Sequence, residues 1–125
     1  ILNNDGNLID ACGIAAMAAL MNAKMPKTDK EGEVLHGEWT DKKLPIKKIA
    51  IPITFIKVGD KLLADPDKEE EQVSDARLTI TASKNEINAL QKGGEDGLTL
   101  EQIDHCLTKS FKIKEKIVEV IKKLK

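Results

Sequence analysis

Between Ile49 and Val58 the chain carries β-branched side chains at Ile49, Ile51, Ile53, Thr54, Ile56 and Val58, and this run constrains the fold more than any other. Ile49, Ile51, Ile53 and Phe55 fall on one face of such a strand, and Ala50, Pro52, Thr54 and Ile56 fall on the other. Pro52 cannot donate to a ladder, which places it at an edge or beside a bulge. Gly59-Asp60 is a two-residue hairpin turn leading into Lys61–Ala64. Asp65-Pro66 ends that strand, and Pro66 biases Asp65 toward an extended conformation. An acidic turn (Asp67, Glu69, Glu70, Glu71) follows, then strands over Arg77 to Ser83 and Glu86 to Gln91 joined at Lys84-Asn85. The spacing predicts a consecutive antiparallel meander with the acidic crossover between its second and third strands. Carboxylates at a strand end suit metal-assisted or acid/base chemistry. On composition alone a solvated acidic turn is the better reading.

Upstream, Asn4-Asp5-Gly6-Asn7 is turn chemistry, with Asn and Gly both tolerant of positive φ. Leu8 to Met25 then reads as a helix apolar almost all round, hence a core helix, with Asp10 as N-cap or first-turn acid and Pro26 as its stop. Lys27 to Lys43 is polar, with one weak strand pattern from Glu33 to Glu38. Trp39 in that region is read as packing in preference to base stacking, and His36 has no ligand or nucleophile partner in sequence. Downstream, Lys92-Gly93-Gly94-Glu95-Asp96-Gly97 is a plain loop, because no Lys-Ser/Thr follows as a phosphate loop requires. Thr99 and Gln102 form a capping box for a last helix, whose apolar positions run from Ile103 to Leu124. Lys122, Lys123 and Lys125 suit its C-terminus and read as a solvated end.

With 125 residues the chain is a single domain, and a net charge of −1 gives no support for a whole-chain polyanion binder. Cys12 and Cys106 stand far apart without metal-ligand spacing and read as buried free thiols in a reducing cell. No apolar run reaches membrane-spanning length, and the chain reads as cytosolic. It opens on Ile1-Leu2, like the tail of a strand, which suggests part of a longer protein.

The strings DGNLIDACGIAAMAALMNAKMP, LPIKKIAIPITFIKVGDKLLADPDKEEEQVSDARLTIT and LQKGGEDGLTLEQIDHCLTKSFK, in that order, resemble the second half of the RNase PH fold. Within that family they are most similar to the non-catalytic RNase-PH-type subunit of the archaeal exosome. The resemblance implies an α+β fold of the ribosomal protein S5 domain 2-like kind: antiparallel strands, a buried helix and a long C-terminal helix. It also implies that residues 1–125 are the C-terminal half of a larger domain whose N-terminal half is absent here. Active members degrade RNA from its 3′ end with inorganic phosphate. Their Gly-Ser/Thr-Arg phosphate motif falls on Asn7, Leu8 and Ile9, which supply no cationic fork. Their acidic pair falls on Asp65 and Glu71, the first kept and the second conservatively replaced; Arg77 stands where active subunits tend to carry another acid. The family therefore implies degenerate active-site positions at Asn7, Leu8, Ile9, Asp65 and Glu71, with no catalytic residue, metal or cofactor. It implies a cytoplasmic ring subunit paired with a catalytic RNase-PH-type partner, as a trimer of heterodimers carrying cap proteins and passing RNA through the ring channel. The alternatives are an active phosphorolytic exoribonuclease using Asp65, Asp67 and Glu71 around a divalent metal, and an unrelated α/β interaction module.

Overall fold

The structure, a computed structural model, describes residues 1–123; Leu124 and Lys125 of the expected last helix lie outside the described residues. Its elements are α1 (Leu8–Asn22), β1 (Lys24–Thr28), β2 (Val34–Lys43), β3 (Ile51–Val58), β4 (Lys61–Ala64), α2 (Lys68–Gln72), β5 (Ala76–Ala82), β6 (Ile87–Gly94) and α3 (Leu100–Lys123). Strands β1 and β2 make a separate two-stranded ribbon; the other four form one antiparallel sheet in the order β4-β3-β5-β6. This is the α+β arrangement that the sequence implied.

The core follows from strand alternation. Ile51 pairs with Ala82, Ile53 with Ile80 and Phe55 with Leu78, so these six side chains share one face of the sheet. Met21 of α1 and Cys106 and Ile121 of α3 join this face in a single buried cluster. Burial pushes the Cys106 thiol up to about 11, which keeps it protonated and unreactive at neutral pH. Thr99 and Gln102 start α3 by reciprocal bonds, the Thr99 N–H donating to Gln102 Oε1 at 2.9 Å and the Gln102 N–H to Thr99 Oγ1 at 3.2 Å.

Strand order departs from the expected meander. The first hairpin forms across Gly59-Asp60, with Val58 opposite Lys61, yet β5 then pairs with β3 and not with β4. The short β4 is thereby left at the sheet edge, and the acidic segment carries the chain across to the far side of β3. That segment is a helix, not an open turn: Asp67 caps α2 by accepting from the N–H groups of Glu69 and Glu70, and Glu70 accepts from Asp67 in return.

Strand β4 covers only Phe55–Val58 and Asp65 takes the Thr54 carbonyl, so the outer edge of β3 is open at Pro52 and at the Thr54 N–H. Here α1 closes it. The Thr54 N–H donates to Asp10 Oδ2 at 2.7 Å, while Pro52 has no N–H to satisfy and lays its ring against Gly13. Pro52 at an open edge matches its reading from sequence. A Cβ at position 13 would stand 2.4 Å from Pro52 Cγ, so Gly13→Ala must push helix and strand apart. Alanine adds up to about 1 kcal/mol of helix propensity, and overpacking costs about 1–3 kcal/mol. A lower urea midpoint in the full-length protein is the expected result, and an unchanged or higher one would show that α1 and β3 are not in contact.

Five expectations are corrected. Helix α1 ends at Asn22, three residues before Met25, and Pro26 stands in β1 opposite Trp39, between two register shifts. The helix is not buried all round, because nothing among the described residues covers its outer side: Ile9 is 37% exposed, Leu20 is 45% exposed, and Cys12, expected to be buried, faces outward. Strand β2 is ten residues long and lifts Trp39 clear of the core at 59% exposure, so Trp39 is not a packing residue within this chain. Strand β6 runs into the expected loop as far as Gly94.

Candidate functional site

Three elements meet at the start of α1. The turn before the helix bends back through Gly6 (φ +92°) and Asn7 (φ +45°), the two residue types that tolerate this conformation. Gly6 lies so close to the crossover that a Cβ there would stand 2.5 to 2.7 Å from backbone atoms of Pro66, Asp67 and Lys68. Pro66 is itself fully buried. The helix start and the acidic crossover are thus pressed together by backbone contact, with no side chain between them.

Asn7 is the hub of what results. Its Nδ2 donates to Asp10 Oδ2 at 2.9 Å and to Asp65 Oδ1 at 2.7 Å, and its backbone N–H donates to Glu71 Oε1 at 3.0 Å. These partners fix the amide's orientation, since the flipped form would face Oδ1 toward two carboxylates. Asn7 is 5% exposed, and its Oδ1 is buried without a partner. Asp10, 6% exposed, also accepts from the Thr54 hydroxyl at 2.8 Å, and Thr54 Oγ1 lies 2.9 Å from Thr79 Oγ1. One chain of polar contacts therefore runs from the crossover through the helix start into the sheet.

The structure brings Asn7, Asp65 and Glu71 together. Asp65 does stand at the strand end, its N–H donating to the Thr54 carbonyl at 3.1 Å. Its φ of +59° corrects the extended conformation read from Pro66; the bonds from its own N–H and from Asn7 hold it there. Leu8 and Ile9 begin the helix without contributing a polar group, and no side chain caps the first turn. Asp67 is spent on capping α2, so it does not join Asp65 and Glu71. Arg77 lies opposite Gly93 in the sheet with its Nε buried and without a partner. Asp10 was legible only as a first-turn acid. The overlooked signal was its pairing with Asn7, an Asn in a turn with an Asp three residues on, facing a Thr on an open strand edge.

The donor set is wrong for an anion. A phosphate at this helix start would lie among Asp10, Asp65 and Glu71 with no cationic side chain from Asn7, Leu8 or Ile9 to offset their charge. Among the described residues none of the three carboxylates forms a salt bridge. The arrangement does not suit a metal ion either. The amide turns N–H donors toward the carboxylates, and no group of three or more His, Cys, Asp or Glu among the described residues could hold a metal ion. The carboxylates are satisfied from within by a neutral donor, so the site is built as a clasp.

Comparison with known proteins identifies the family. The family model for the 3′ exoribonuclease family, domain 2, matches residues 48–113. The exosome complex component Rrp42 of Pyrococcus horikoshii is 43% identical over 124 residues, an alignment covering 97% of this chain and 45% of that protein. Its counterpart from Thermoplasma volcanium is 40% identical over 120 residues, covering 95% and 44%. Among solved structures, an archaeal exosome core superposes with a TM-score of 0.81 at 38% identity, over 97% of this chain and 47% of that one. The Archaeoglobus fulgidus exosome with RNA bound to the active site gives 0.80 at 38% identity, over 94% and 44%. Rice Rrp46, at 18% identity and a TM-score of 0.70, shares the fold. The chain spans about half the length of the curated relatives it matches. With domain 2 matched over more than half its residues, the chain belongs to the 3′ exoribonuclease family.

Proposed function

We propose that this chain is the second half of a non-catalytic ring subunit of an archaeal-type exosome, supporting phosphorolytic 3′-to-5′ RNA degradation by a catalytic RNase-PH-type partner. One observation carries the reading. Where an active member would hold phosphate, this helix start offers Asn7, Leu8 and Ile9, which supply no cationic group to offset the carboxylates gathered on Asn7. Likeness to exosome components supports the assembly, and the missing cation supports inactivity. In this role the subunit shapes the ring and its RNA path and leaves bond breaking to its partner. It works in the cytoplasm, and no helix among the described residues is long and apolar enough to cross a membrane.

The test uses full-length protein with 3′-extended labelled RNA, inorganic phosphate and Mg²⁺, alone and mixed with the catalytic partner. No release of nucleoside diphosphates alone and strong release in the mixture is the expected result. Phosphate-dependent release by this protein alone would overturn the reading.

A further inference from the structure

Helix α3 carries a basic stripe. His105, Lys109, Lys112 and Lys116 recur at intervals of four, three and four residues, which places them on one helical face. That face borders a groove of ≈ 400 Å³ between α3 and the edge strand β4, floored by Phe55 and Leu62. Among the described residues no acidic side chain lines this groove, whereas Glu115 and Glu119 of the same helix line a different one together with Lys114 and Lys122. Among the described residues the three lysines form no salt bridge, although the chain as a whole is charge-balanced. Three exposed lysines without an ion-pair partner, with His105 in line with them over an apolar floor, are arranged for an anionic ligand.

We infer that this groove binds the sugar–phosphate backbone of single-stranded RNA. The choice of RNA rests on the ring-subunit reading; the anionic character of the ligand does not. Neighbouring positions of the stripe are about 5–6 Å apart at Cβ, comparable with successive phosphates of an extended strand. The groove carries no stacking platform, since Phe55 is only 3% exposed, so recognition is of backbone and indifferent to sequence. An acidic peptide adding to the sheet edge as a strand would find only four residues of β4 to pair with, flanked by Asp60 and Asp65.

The test compares full-length protein with its Lys109→Ala/Lys112→Ala/Lys116→Ala variant, each free and assembled with the catalytic partner, and measures binding of fluorescent oligoadenylate across a KCl series. Loss of three phosphate contacts should weaken binding about tenfold at low salt and lower the salt slope by about 2. A matched triple at the exposed Lys30, Lys42 and Lys43 should change neither. Unchanged affinity and slope in a variant that still assembles would overturn the groove and leave the ring reading standing. A variant that binds RNA normally but no longer joins its partner would also overturn it, marking the groove as a protein contact. If the unmodified protein fails to assemble while the variant still loses RNA affinity, the ring reading falls and the groove stands.

Discussion

Asp10→Ala should lower the stability of the full-length protein by about 3–5 kcal/mol, read as a drop in urea midpoint at unchanged slope. Asp10 is 6% exposed and accepts three bonds: from the Thr54 N–H, the Thr54 hydroxyl and Asn7 Nδ2. A hydrogen bond to a charged group is worth about 1.5–3 kcal/mol net, and a buried donor left bare pays its full desolvation cost. Truncation removes the acceptor of three donors at once, two on Thr54 and one on Asn7, and opens the edge of β3 that α1 closes. Asp10→Asn tests the reasoning from the other side. It keeps shape and one acceptor but turns an N–H toward existing donors, so it should lose about half as much. If alanine costs less than about 1 kcal/mol, Asp10 does not hold the helix to the sheet.

How much of this was legible in the sequence depends on whether the cause was local. The hairpin at Gly59-Asp60, the open edge at Pro52 and the Thr99–Gln102 capping box were readable because each is set by neighbours a few residues apart. The strand order was not. A four-residue β4 and a five-residue α2 satisfy the same local pattern whether β5 pairs with β4 or crosses to β3, and the long β3 ladder settles it. Helix α1 misled for a related reason. Its run of Ala, Ile, Met and Leu reports what the surface could bury, yet within this chain only the side toward β3 is covered. The candidate site divides in the same way. Asn7, Asp65 and Glu71 could be named from family motifs that fix positions along the chain. What joins them is Asn7, its backbone N–H donating to Glu71 and its amide reaching across 58 residues to an Asp65 at positive φ, the opposite of what a following proline suggests.

That amide supplies the sharpest test of whether the site is a clasp. Asn7→Asp changes few atoms in size and keeps a residue that tolerates φ of +45°. It nevertheless replaces a donor serving two carboxylates with a fourth carboxylate, in a position only 5% exposed. Two charge-assisted bonds become two repulsions, and the full-length variant should lose about 3 kcal/mol or more near neutral pH. A donor can be returned from outside, which separates this loss from ordinary packing damage. With the introduced carboxylate meeting those of Asp10 and Asp65, three side chains supply oxygen ligands for a hard divalent cation. Ca²⁺ or Mn²⁺ should therefore raise the melting temperature of the variant and leave the parent protein unmoved. A variant as stable as its parent without added cation would mean that the amide does not hold the carboxylates. A parent stabilised by Ca²⁺ or Mn²⁺ as strongly as the variant would mean that these carboxylates still take a metal, contrary to the clasp.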